Sequence, residues 1–289
     1  MMMVVRGRGI STLRLAMPIE LQSEICVFDQ EEFTTLNRRV LRLAFDVHNE
    51  FGRFLDEEMC KRELAARCIE AGISPVEREV RIQVKHDNFR KDYLMDMLLA
   101  KGLMLDAKAS ESLTKAHHSQ ALNYLLLTGM QHGTLVNFRG SRVEHPFVST
   151  QLTPARRRQF TADDRRWLNQ DSDAEWLKQR MLDLLADWGA FLEVTLYREA
   201  VTHFLSYSQN VHRPVELFSG TRALGTQDMF LLTDKAAFSI TAIISNLAEY
   251  ESHLSRFLHH TRLDHLHWIN LNHHTIAFTS LNNSSRLCR

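Results

Sequence analysis

Two apolar runs in the first half of the chain carry charges that could do chemistry. From residue 93 to 109 the sequence reads Tyr-Leu-Met-Asp-Met-Leu-Leu-Ala-Lys-Gly-Leu-Met-Leu-Asp-Ala-Lys-Ala, which places Asp96, Asp106 and Lys108 inside those runs. Lys101-Gly102 marks a hairpin turn between two strands, residues 93–100 and 103–109. Asp106 and Lys108 are two apart, so both face one side of their strand, while Leu105 and Ala107 face the other. A charge in an apolar strand is costly to bury unless it is paired or bound to metal. Two carboxylates on neighbouring strands make a hard-oxygen site suited to Mg²⁺ or Mn²⁺. A lysine beside them can orient a water or offset charge on a phosphate. The alternative is an ion-pair cluster that only holds the strands together.

The flanking patterns say what must position these groups. Residues 31–71 read as helix, with Leu41, Ala44, Val47, Phe51 and Leu55 at rough helical spacing and a break at Gly52. The second helix covers about 55–70 and stops at Ala71-Gly72. Val80, Ile82 and Val84 alternate with polar residues as a strand does, and His86-Asp87-Asn88 is a turn. A helix over 115–128 ends at Gly129. Residues 134–138 and 143–148 are strands. Helices, three strands, a helix and a further strand imply an α/β domain with a mixed sheet.

Residues 36–148 resemble the GxxExxY proteins, a branch of the PD-(D/E)XK nuclease-like superfamily. The matching stretches are AFDVHNEFGRFLDEEMCKREL (44–64), DYLMDMLLAKGLMLDAKA (92–109) and LTKAHHSQALNYLLLTGMQHGTLVNF (113–138). The resemblance implies a restriction-endonuclease-like mixed sheet flanked by helices and a Mg- or Mn-dependent nuclease activity. It puts the helix glutamate on Glu57, the strand acids on Asp96 and Asp106, and the lysine on Lys108. Asp96, Asp106 and Glu57 would hold the metal. The glutamine of the following helix falls on Gln120, with His117 and Tyr124 on the same helical face as supporting residues. Three positions depart from the family pattern: its naming Gly and Tyr are Phe54 and Cys60 here, and the second acid is Asp instead of Glu. A non-catalytic module that binds nucleic acid or a protein on the same fold is the alternative, because fold alone does not fix function.

The second half repeats the element order. Residues 175–203 read as helix, 215–218, 227–232 and 237–243 as strands, 247–260 as helix and 267–271 as strand. A shift of 133 places Ala109 on Ala242, Leu125 on Leu258 and Asn137 on Asn270 without a gap. A shift of 137 places Gly52 on Gly189 and Phe54 on Phe191. Under these registers Glu57, Asp96, Asp106, Lys108 and Gln120 become Val194, Met229, Ser239, Thr241 and His253. The expectation is an intramolecular pseudo-dimer: an N-terminal tail over 1–30, flexible to about 17; a nuclease-like domain over 31–150; a linker over 151–173; and a degenerate repeat over 174–289. The second half holds nine of the 15 histidines and all four tryptophans, read mainly as surface histidines and packing tryptophans.

Composition narrows the partners. The chain has 289 residues with 35 Lys+Arg against 35 Asp+Glu. Residues 31–150 hold 17 of each sign and 151–289 hold 15 of each, so neutrality belongs to each half. Nucleic-acid binding, to DNA or RNA, must then come from a local groove and a bound metal, and it should be salt-sensitive. The four cysteines form no metal or disulfide pattern, which fits reduced thiols and a cytoplasmic location. No apolar run approaches the ~20 residues of a membrane span, so no membrane association is expected. The first 17 residues contain Arg and Ser and no acid, and Met17 could be the true start. A homo-oligomer stays open.

Overall fold

A computed structural model of the chain describes residues 18–168, 172–206 and 210–283. The expectations for residues 1–17, for Met17 as a start and for Cys288 lie outside these. The first sheet runs in chain order: β1 (Ile19–Leu21), β2 (Val76–His86), β3 (Phe89–Leu99), β4 (Leu103–Lys108), β5 (His132–Asn137) and β6 (Phe147–Ser149). Two helices, α1 (Gln30–Phe51) and α2 (Glu57–Glu70), precede β2, and α3 (Lys115–Thr128) carries the chain from β4 to the parallel strand β5. After α4 (Pro154–Arg157) and β7 (Thr161–Arg166) the plan recurs with α5 (Ser172–Trp188), α6 (Val194–Leu205), β8 (His212–Ser219), β9 (Arg222–Leu231), β10 (Ala236–Thr241), α7 (Leu247–His259), β11 (His265–Asn272) and β12 (Thr275–Asn282). The second sheet has the order β7-β12-β11-β10-β9-β8. This is a mixed α/β architecture of two six-stranded lobes.

Strands β8 to β12 repeat β2 to β6 residue for residue over most of their length. In the parallel pairs the partner lies 29 positions further on in both lobes: Met104 faces Gly133, and Ala237 faces Leu266. The 133-residue shift also carries the pair His132–Ser149 onto His265–Asn282, and the hairpin tip His86–Phe89 onto Ser219–Arg222. The helices keep the 137-residue shift, with α2 starting at Glu57 and α6 at Val194. One polar device is shared. Asn137 accepts from the Ser110 N–H at 3.1 Å and donates to the Ser110 carbonyl at 2.8 Å. Asn270 makes the same two bonds with Ile243, both at 2.8 Å. Each asparagine ties the end of one parallel strand to the chain leaving the other, at the place where the backbone ladder stops.

The elements form for local reasons. Asp29 caps α1 by accepting from Glu31 and Glu32 N–H groups, and the Glu32 side chain returns the bond to complete a capping box. Phe33, Val40, Leu41, Ala44 and Val47 then make one buried stripe. That stripe and α2 cover one face of the first sheet, against Met97, Leu99, Leu105 and Val136. The other face, with Val80, Ile82, Leu98 and Met104, packs on α3 and on the helices α5 and α6 of the second lobe. The same helix pair covers Phe238, Ile269 and Phe278 of the second sheet, so one helical layer serves both. Helix α7 lies on the far side, over Ala237, Leu266 and Trp268.

The polar joints between the lobes surround that shared layer. Trp188 Nε1 donates to the Lys85 carbonyl at 2.8 Å, His86 meets Asp187 at 2.6 Å, and Arg180 pairs with Asp87 at 2.9 Å. The Tyr93 hydroxyl donates to Glu193, which burial and that carboxylate reward by holding its proton more firmly than usual. Trp167, Trp188 and Trp268 are buried, as packing residues would be.

Several expectations need correction. Residues 19–21, placed in an N-terminal tail, form an edge strand on β2 because Ile19 and Leu21 have an apolar face to cover. Residues 161–166, placed in a linker, pair in parallel with β12. Their charged sequence fits an edge strand, with Arg166 paired to Glu251. Strand β12 was not legible behind His273-His274, and β6 is shorter than expected. In the β3–β4 turn the left-handed residues are Ala100 and Lys101. Gly102 has another purpose: a Cβ there would meet the Phe28 ring at 2.3 Å. Asn270→Ala should cost about 1–3 kcal/mol by stranding buried groups of Ile243. Urea unfolding should show a lower midpoint with an unchanged slope.

Candidate metal and phosphodiester site

The ladder between β3 and β4 runs from Leu99–Leu103 to Met97–Leu105 and then stops. The next residues in that register are Asp96 and Asp106. At this point a side chain takes over from the backbone: Asp96 Oδ2 accepts from the Ala107 N–H at 2.9 Å. Asp106 is 1% exposed, with its side chain on the face opposite Leu105 and Ala107. Lys108 Nζ donates to Asp106 Oδ1 at 2.7 Å and lies 3.7 Å from Asp96 Oδ2. Asp106 Oδ2 is buried with no hydrogen-bond partner.

This crowding acts on the protons. Burial first, and then the neighbouring Asp96 carboxylate, push the Asp106 carboxyl up to about 7, with Lys108 pulling the other way. Burial pulls Lys108 down, but Asp106 and Asp96 outweigh it and hold its ammonium above the ordinary value. Glu57 contributes in the same direction, which places the α2 N-terminus within electrostatic reach of Lys108.

Helix α3 supplies the roof. Tyr124 is buried, and its hydroxyl accepts from Gln120 Nε2 at 2.9 Å. Burial, then the Asp106 charge, keep that hydroxyl protonated well above its usual range. Gln120 therefore serves Tyr124. His117 is occupied at the helix start, where its Nδ1 accepts from the Thr114 N–H at 3.2 Å as half of a capping box.

Sequence reasoning missed Lys61. It follows Glu57 by four residues on α2 and is 7% exposed. Its ammonium meets Glu79 at 2.6 Å and Asp96 Oδ1 at 3.4 Å. Glu79 sits at a positive φ of 51° in β2, between the paired residues Arg78 and Val80 and opposite Asp96. Two lysines thus flank two aspartates. The i, i+4 spacing from Glu57 was the only available signal. Cys60 is a buried core thiol, pushed up to about 11 chiefly by burial.

Among the described residues no three of His, Cys, Asp or Glu are gathered closely enough to hold a metal ion between them. Asp96 and Asp106 stand as a pair, and Glu57 is not drawn into direct company with them. The donor chemistry of the pair still suits a hard cation, since a buried carboxylate oxygen without a donor is what such an ion would satisfy. In the second lobe the equivalent positions are neutral. Val194 packs into the shared core, and Thr241 accepts from Trp268 Nε1 at 2.8 Å while donating to Asn270.

The raised Asp106 carboxyl has a sign. A folded-state value above the unfolded one stabilises the protein at low pH, and this is lost as pH rises from about 4 through about 7. Asp106→Asn should therefore raise the melting temperature of the metal-free protein at pH 8 by a few degrees. At pH 4 the difference should vanish. Equal melting temperatures at both pH values would contradict the strained-carboxylate account.

No curated protein matches the chain by sequence. Among the described residues no helix is long and apolar enough to cross a membrane. A model of the PD-(D/E)XK nuclease superfamily matches residues 34–148, from α1 to β6, and so spans Glu57, Asp96, Asp106, Lys108 and Gln120.

Proposed function

We propose that the first lobe is a Mg- or Mn-dependent phosphodiester hydrolase acting on nucleic acid, of the GxxExxY branch, and that the second lobe is a degenerate repeat without a site. On this reading the nuclease-like domain is residues 31–150 and the repeat lies within 174–289, with β7 contributed by the connecting segment. The observation that carries the reading is Asp106 Oδ2, buried and without a donor beside a second carboxylate and a protonated lysine. Asp96 and Asp106 would hold the ion, with Glu57 reaching it through water. A bound divalent ion would supply an activated water and would neutralise charge on the phosphate.

The chain's own groups have distinct tasks. Lys108, kept cationic by its two aspartates, can only donate hydrogen bonds. It therefore orients the attacking water and faces the phosphate, and does not act as the base. Tyr124 keeps its proton and is held by the bond it accepts from Gln120. Lys61 anchors Asp96 from the side of α2.

A second reading has its own support. Lys61 and Lys108 already balance Asp96 and Asp106, so the pair could persist as a structural cluster in a nucleic-acid- or protein-binding module. Calorimetric titration with Mg²⁺ separates the two: binding that disappears in Asp96→Ala favours the hydrolase, and no binding at millimolar Mg²⁺ favours the module. Asp96→Ala and Lys108→Ala should each lower Mn²⁺-dependent cleavage by at least about 10²-fold while circular dichroism stays that of the parent. Wild-type protein that cleaves no single-stranded, duplex or branched DNA and no RNA would sink the hydrolase reading.

A further inference from the structure

A cleft of about 940 Å³ opens just past Lys108, and its lining includes Arg53, Phe54, Ala109, Arg139, Gly140 and Arg142. It lies where ligands of open α/β sheets bind, just past the carboxyl ends of two parallel strands. Strand β4 ends at Lys108, directly before Ala109, and β5 ends at Asn137, two residues before Arg139. Arg139 is within electrostatic reach of Cys60, as Glu57 is, which ties the cleft to the start of α2.

The first-lobe arginines divide into guanidiniums paired with a carboxylate and guanidiniums that are not, and the three at the cleft are of the second kind. Arg67, Arg78 and Arg81 are each paired with a carboxylate. Among the described residues Arg53, Arg139 and Arg142 form no ion pair; Arg139 Nε donates to the Ala109 carbonyl and Arg53 lies 5.2 Å from the Phe54 ring centre. Two acids also border the cleft, Glu111 and Glu144, and Glu144 accepts from Asn137 Nδ2 at 3.0 Å. The turn that carries Arg139 and Arg142 is held firmly. The His48 ring meets the Gly140 carbonyl at 3.0 Å, and a Cβ at Gly140 would come within 2.8 Å of the Arg142 carbonyl oxygen. Phe54 stands at the rim, 78% exposed.

The second lobe provides an internal comparison. The registers place Arg53 on Ala190, Arg139 on Asn272 and Arg142 on Thr275, so all three guanidiniums are gone where the carboxylates are gone. The aromatic persists as Phe191, but it is turned inward, with its ring 4.7 Å from that of His274 and 5.6 Å from that of His273. The three arginines and the carboxylates stand together in one lobe and are absent together from the other.

We infer that this cleft binds the strand flanking the scissile phosphate as an unpaired nucleotide, with its base stacked on Phe54 and its phosphates held by Arg53, Arg139 and Arg142. The inference rests on the hydrolase reading for its place beside a reacting centre. Guanidinium forks match phosphate oxygens. An exposed ring beside them offers a face to any base that has left a duplex stack.

The test measures binding apart from cleavage. Full-length protein in EDTA is titrated against a fluorescein-labelled 12-nucleotide thymidine strand and against its abasic counterpart, by anisotropy at several salt concentrations. The wild type should prefer the base-bearing strand roughly tenfold or more. Phe54→Ala should erase that preference and Phe54→Tyr should keep it. Arg139→Ala with Arg142→Ala should weaken both strands and lower the salt slope by about 1.4. Variants that bind as the wild type does, or a wild type that binds neither strand, would overturn the inference. Hydrolysis of bis(p-nitrophenyl) phosphate with Mn²⁺, and its loss in Asp96→Ala, tests the reacting centre separately, so failure of the cleft and failure of the hydrolase reading are told apart.

Discussion

The first lobe is organised around two carboxylates buried side by side on neighbouring strands. Such groups repel one another and lose their hydration, and either effect alone favours protonation. What surrounds them limits that cost without removing it. The β3–β4 ladder opens so that Ala107 N–H can serve Asp96. Lys108 closes on Asp106 from the same strand, and Lys61 reaches Asp96 from α2. One oxygen of Asp106 is still left without a donor, and the carboxyl is pushed up to about 7. A fold selected for stability alone would have made the substitutions found in the second lobe, where Met229 and Ser239 stand at the positions of the two carboxylates. Residual strain of this kind gathers at functional sites.

The second lobe shows what the scaffold needs when the charges are removed. It keeps the strand order, the 29-residue spacing across the parallel pair, and the asparagine that closes that pair. These features position a site, and they survive without one. What the second lobe adds is the helical layer that covers the β2–β3 hairpin. Glu193 occupies the position before α6 that Asp56 occupies before α2. Asp56 spends its carboxylate on capping its own helix at Met59, whereas Glu193 turns to Lys91 and Tyr93 of the first lobe. The residue beside each has diverged as well, Glu57 lying within electrostatic reach of Lys108 and Val194 packing into the core.

Much of this was legible because it depends on local rules. Gly52 ended one helix, Gly129 another, and the apolar alternation around Val80 and Ile82 marked a strand. Asp96, Asp106 and Lys108 stood out because charge within an apolar run needs a reason. The features that were hidden depend on tertiary contact. Strands β1 and β7 have no strong pattern, and they exist because a sheet edge accepts them. Lys61 reads as an ordinary helix lysine until Glu79 and Asp96 arrive from two strands. Gly102 looked like a turn residue, and it is the Phe28 ring that demands it. His117 and Gln120 fell on the expected helical face, but their hydrogen bonds go to the helix cap and to Tyr124.

Neutrality of each half can now be placed in space. A lobe with as many acids as bases has little long-range attraction for a polyanion, so selectivity must come from where the unpaired charges sit. Many first-lobe charges are spent in ion pairs, as in the Arg67 pairs with Glu50 and Glu63 and the Lys85 pair with Glu20. Three of the guanidiniums left over, Arg53, Arg139 and Arg142, line one cleft just past the ends of β4 and β5. On the proposed reading, a short positive patch there would hold a phosphate and reach little beyond it, because the Debye length at physiological salt is about 8 Å. The remaining discrimination would then come from contact with the nucleotide itself, and the aromatic ring at the rim is the group placed to make it.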